Sequence, residues 1–77
     1  MTNSSSVVKE YVAGLNSDEL MCLYGRRHDL NEFTDVVTAN KTMEALFSTT
    51  KNSLALFDLM DDLIDQVTLR VKAEQAA

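Results

Sequence analysis

Four aspartates, Asp58, Asp61, Asp62 and Asp65, form the densest set of potential ligands in the chain. Carboxylates three and four residues apart share one helical face, and clustered hard oxygen ligands of this kind suit divalent cations such as Mg2+. The other reactive groups are scarce. Cys22 and His28 are the sole thiol and the sole imidazole, so a nucleophile and base pair made from them has no orienting third group or oxyanion element in view. One cysteine with one histidine cannot close a structural zinc site. Arg26-Arg27-His28 is the single basic cluster, too short to make a phosphate-binding stripe.

The string Asp61-Asp62-Leu63-Ile64-Asp65 resembles the aspartate-rich motif of isoprenoid synthases. That resemblance implies magnesium chemistry inside a large helical cavity that excludes water, and 77 residues have no room for one. No metal, cofactor or catalytic residue is therefore expected. Asp58, Asp61, Asp62 and Asp65 are read instead as a solvated helical face, and in the functional alternative as a docking surface for a basic partner. Asp18-Glu19-Leu20, Leu23-Tyr24 and His28-Asp29 resemble the central helix of the small Hha-type proteins, which modulate nucleoid-associated partners. The order of histidine and aspartate departs from that pattern and the aromatic carboxyl end is missing, so no binding residue is carried over.

The elements that must carry these groups are helical. The chain has no proline, and its two glycines, Gly14 and Gly25, lie in the first third, so nothing beyond Arg26 forbids helix. Val8, Tyr11, Val12 and Leu15 follow one helical face after the capping oxygens of Ser4 to Ser6. Asn16-Ser17-Asp18-Glu19 has the spacing of a capping box and opens a short second helix with Leu20, Leu23 and Tyr24, ending near Gly25. Asp29-Leu30-Asn31-Glu32 repeats that arrangement and starts a third helix carrying Leu30, Phe33, Val36, Val37, Met43, Leu46 and Phe47.

Asn40 falls inside that third apolar stripe. A polar residue there either fixes the register of an assembly or marks a break, and the weak helix formers of Thr38 to Thr42 favour the break. Six polar residues, Ser48 to Ser53, then supply a turn. The last helix follows from Asn52 to Lys72 with a seam of Phe57, Met60, Ile64, Val67 and Val71. Clustered aspartates cost a helix a few tenths of a kcal/mol per pair, whereas burying one large apolar side chain contributes about 1.5 to 3 kcal/mol. The seam prevails.

These elements predict an all-α fold, a small helical bundle of about four helices in which the last two form a hairpin. Residues 1–77 make a single domain, with 1–5 and 74–77 frayed. The expected core is Leu30, Phe33, Val37, Leu46, Phe47, Phe57, Met60, Ile64 and Val67. Leu56 and Leu63 widen the stripe of the last helix beyond what one neighbour covers, so Leu56, Met60, Leu63 and Val67 are the residues expected to carry self-association into a homodimer.

A chain this short buries only about 60% of its unfolded surface on folding, which also favours regular packing or association. Its net charge of −5 opposes general affinity for phosphate backbones and anionic membranes. There is no secretory signal pattern and no apolar run approaching a membrane span of about 18 residues, which makes a cytoplasmic location the expectation. The functional expectation is a non-enzymatic protein-protein interaction module: a small acidic adaptor or inhibitor that binds a larger protein through a helical face. The alternatives are a dimeric nucleic-acid-associated regulator using Arg26 and Arg27, or an acidic mimic of nucleic acid that blocks a DNA- or RNA-binding protein.

Overall fold

Side-chain caps divide the chain into its elements. In the computed structural model, which describes residues 4–76, there are five helices: α1 (Ser4–Ala13), α2 (Ser17–Gly25), α3 (Leu30–Thr38), α4 (Lys41–Thr49) and α5 (Ser53–Ala76). No strand occurs among the described residues, so the fold is all-α. Of the ends expected to fray, residues 1–3 and 77 lie outside the described residues, while 4, 5 and 74–76 have helical geometry.

Three helix starts anticipated from local spacing or polarity are built by short polar side chains. The Glu19 amide donates to Asn16 Oδ1 at 2.8 Å and the Asn16 amide to Glu19 Oε1 at 3.0 Å, a complete capping box for α2. Asp29 Oδ1 accepts from the Glu32 amide at 3.2 Å and starts α3. Asn52 Oδ1 accepts from the Leu54 amide at 2.9 Å in the first turn of α5.

Asn40 settles the course of the expected third helix. Its Oδ1 accepts from the amides of Thr42 at 3.0 Å and Met43 at 3.1 Å, so it is the N-cap of α4. One expected helix is thereby two, and the bundle has five members where about four were anticipated. The hydroxyl of Thr38 donates to the Thr34 carbonyl at 2.7 Å, the local competition that weakens helix at this point.

At 24 residues, α5 is about 36 Å long, close to the molecule's longest dimension of 37 Å. It packs chiefly along α1 and α2, whereas α3 and α4 pack on each other and α4 also meets α1. The antiparallel hairpin expected from the last two helices is thus a minor relationship, and the two amino-terminal helices provide the main cover for α5. The core consists of Val8 and Val12 from α1, Leu20 and Leu23 from α2, Phe33 and Val37 from α3, Met43 from α4, and Leu59, Met60, Leu63, Val67 and Val71 from α5.

Among the residues expected in the core, Phe33, Val37, Met60 and Val67 are buried, and Leu46, Phe47 and Ile64 pack against the core half-buried. Leu30 and Phe57 are corrections: they stand 44% and 60% exposed. The first turns of α5 carry Leu54, Leu56, Phe57, Leu59 and Met60, apolar residues pointing nearly all round the helix at about 100° per residue. Periodicity alone allows more than one stripe there. Packing under α1 and α2 selects the one centred on Leu63 and turns Phe57 outward.

Candidate protein-docking surface

The aspartates sit where the helical spacing places them, on the side of α5 away from Leu63. Asp58, Asp61 and Asp65 are exposed and Asp62 is half-buried. They resolve into two rows of residues one turn apart, Asp58 with Asp62 and Asp61 with Asp65. The first row borders a cleft of about 420 Å³ shared with Ser5, Thr50, Ala55 and Leu59. Among the described residues, no group of three or more His, Cys, Asp or Glu side chains is arranged to hold a metal ion.

The basic cluster is tied into the end of α2. Arg26 Nη1 donates to the Cys22 carbonyl at 3.0 Å and lies 3.1 Å from Cys22 Sγ, and its Nε stands 4.0 Å from Glu32 Oε2. Arg27 donates to the Tyr24 carbonyl at 2.6 Å with its guanidinium stacked 3.8 Å from the centre of the Tyr24 ring. Both cations thus complement the carbonyl end of a helix, a role that needs no nucleic acid. His28 is exposed in the following turn, and the polar contact at the Cys22 sulfur is with Arg26.

The residues expected to carry self-association are mostly inside the chain. Met60, Leu63 and Val67 belong to the core, and Leu56 is half-buried against it. A second chain does not reach Leu63 or Val67 while α1 and α2 cover them. The apolar surface that does face outward is elsewhere.

That surface lies around the start of α5 beside the start of α3. Leu54 is 75% exposed, and Leu54 and Phe57 are neighbours three residues apart on one helical face. A groove of about 290 Å³ opens between Leu30, Asn31 and Thr34 on α3 and Ser53, Leu56, Phe57 and Met60 on α5. The Thr34 hydroxyl crosses its base to Met60 Sδ at 3.6 Å. The two large exposed apolar residues at the start of α5 are each followed one turn later by an aspartate, Leu54 by Asp58 and Phe57 by Asp61. The apolar patch therefore runs directly into the acidic face. Met21 and Leu69 are also exposed, but Leu69 is about 18 Å further along α5 than Phe57 and has no such continuation. Leu54 was missed from the sequence, although a first turn with too many apolar residues to bury on one side was the available signal.

Comparison with protein-family models, curated proteins and solved structures finds no match to this chain. Among the described residues, no helix is long and apolar enough to cross a membrane.

Proposed function

We propose that this chain is a non-enzymatic protein-binding module, a small acidic adaptor or inhibitor that engages a larger protein bearing a basic surface. The observation that carries this reading is the continuity of Leu54 and Phe57 with the aspartates one turn beyond them. Exposed apolar side chains in a contiguous patch mark interaction surfaces more often than apolar residues scattered singly. Burying Phe57 and Leu54 against a partner supplies attraction, and Asp58, Asp61, Asp62 and Asp65 steer the approach of a cationic target and fix its orientation. The steering component weakens as salt rises, because exposed charges more than about 8 Å apart are screened at physiological ionic strength.

A homodimer built on this same patch is the other reading, since Leu63 and Val67 are buried in the core. It would also bring together two acidic faces on chains of net charge −5, so a basic heterologous partner ranks first. Sedimentation equilibrium at micromolar concentration distinguishes the two: a monomer is expected, and a stable dimer would favour the homodimer.

The direct test is a photoreactive amino acid placed at position 57 and, separately, at exposed Ala45 on α4, in the native host. A discrete adduct with one protein from position 57, absent from position 45, is the expected outcome. Adducts identical from both positions would remove the assignment of this patch.

A further inference from the structure

A third and larger concavity lies away from the α3–α5 groove, between α1, the turn into α2, α2 itself and the end of α3. Its volume is about 710 Å³, within the range of about 300 to 1,000 Å³ common for ligand sites. Tyr11, Leu15 and Val36, all half-buried, line it with buried Leu23, while exposed Glu10, Asp18 and Glu19 supply its charge. No Lys, Arg or His is among the described residues that line it.

Two features make this more than a scatter of surface acids. Glu19 is held in place, because its Oε1 accepts the Asn16 amide at 3.0 Å in the capping box of α2. The carboxylate that closes a helix start is thereby also fixed at the groove. Tyr11 brings a half-buried aromatic ring beside this carboxylate, where burial pushes its pKa up, the Glu19 carboxylate adds to the rise, and Cys22 adds a smaller contribution. Surroundings that disfavour a phenolate through low polarity and nearby negative charge favour a cation by the charge component alone. An ammonium ion carried on an apolar body suits both halves of this site, with its body on the floor and its charge near the carboxylates. The aromatic ring of Tyr11 adds cation–π attraction.

We infer that this groove binds a small organic ammonium ion with an aromatic or aliphatic body, the charge recognised by Glu10, Asp18 and Glu19 and the body by Tyr11, Leu15 and Val36. Binding here is independent of the docking patch on α5. Each carboxylate contributes through a solvent-facing interaction, so loss of one charge weakens binding by about fourfold.

The test is an NMR titration of the full chain, following backbone amides, with three probes of similar shape: phenethylammonium, 2-phenylethanol and 3-phenylpropanoate. Phenethylammonium should give saturable shifts centred on Tyr11, Cys22, Val36 and Ala39, with the alcohol at least about tenfold weaker and the carboxylate weaker still. Glu10→Gln and Asp18→Asn should each weaken the ammonium by about fourfold. Ala39→Phe, at an exposed position, should block the groove without altering its charge. Equal binding of alcohol and ammonium would overturn the inference, as would a lack of saturable shifts or shifts spread over the aspartates of α5. If Ala39→Phe does not fold, the two charge-removing variants still decide the matter.

Discussion

Arg70 Nη1 donates to the Val12 carbonyl at 2.8 Å, joining the far end of α5 to the last turn of α1. The same guanidinium places Nη2 3.3 Å from Glu74 Oε1, and Glu74 Oε2 accepts from the Ser17 hydroxyl at 3.3 Å. Three helices thus meet through one polar chain at this end of the bundle. A cation on the carbonyl end of α1 also complements the helix dipole.

Replacing Arg70 with Met, which keeps most of the apolar stem, should lower the unfolding free energy by about 1 to 2 kcal/mol. The side chain is 34% exposed, so solvent screening keeps the loss below that of a fully buried charge pair. Glu74→Gln should cost only a few tenths of a kcal/mol, since its ion pair is on the surface. Urea denaturation of the two variants measures the difference, and equal losses would show that the ion pair, rather than the Val12 carbonyl, is the important contact.

Asn40 provides a sharper contrast. As the cap of α4 it should lose about 1 kcal/mol on change to Ala, and Asn40→Asp should be nearly neutral. Asn40→Leu should also destabilise. A polar residue kept to specify register inside an apolar seam behaves in the opposite way, because leucine there would add stability. Denaturant midpoints of the three variants separate these roles.

The rotation of α5 predicts a strong inequality between two of its large residues. Leu63→Ala should lose about 2 to 5 kcal/mol, a large part of the stability available to so small a domain. Phe57→Ala should change stability by no more than about 0.5 kcal/mol, as expected at an exposed position. Thermal unfolding followed by circular dichroism gives both values, and a reversed order would mean that Phe57 faces the core.

Tyr11 makes alkaline stability sensitive to one side chain. Its pKa is raised in the folded state by burial first, then by Glu19 and Cys22. The unfolded chain therefore loses this proton at lower pH than the folded one. Stability linked to Tyr11 is fully present below the unfolded phenol value of about 10 and falls as pH rises through the higher folded value. In urea denaturation between about pH 8 and 12, Tyr11→Phe should show a shallower alkaline decline than the parent chain. Identical declines would contradict this.

Local chemistry was legible in the sequence and the choice of neighbours was not. Asn16 with Glu19, Asp29, and the polar run before α5 all mark helix starts by short-range hydrogen bonding, which needs no tertiary context. Val8 with Val12 and Leu20 with Leu23 are similarly plain, since each short helix has one apolar side. Asn40 could be narrowed to two roles, because the same polar residue serves as a cap or as a register device. The orientation of α5 is of another kind. Its first turns are apolar nearly all round, and the side that becomes core depends on where α1 and α2 pack. The expected self-association residues Met60, Leu63 and Val67 entered the core for that reason, and Leu54, Leu30 and Phe57 were left to form the surface. The groove around Tyr11 joins residues of three helices and has no sequence signature.

The central claim is that the Leu54 and Phe57 patch, with its aspartates, binds a partner protein. Its most direct measurement is quantitative affinity capture from the native host with the parent chain, Phe57→Ser, and the pair Asp61→Asn with Asp65→Asn. Far-ultraviolet circular dichroism should confirm that all three are equally helical. One captured protein should be lost with Phe57→Ser and become less salt-sensitive with the aspartate pair. Equal recovery of that protein by parent and Phe57→Ser, with unchanged salt dependence for the aspartate pair, would contradict the account.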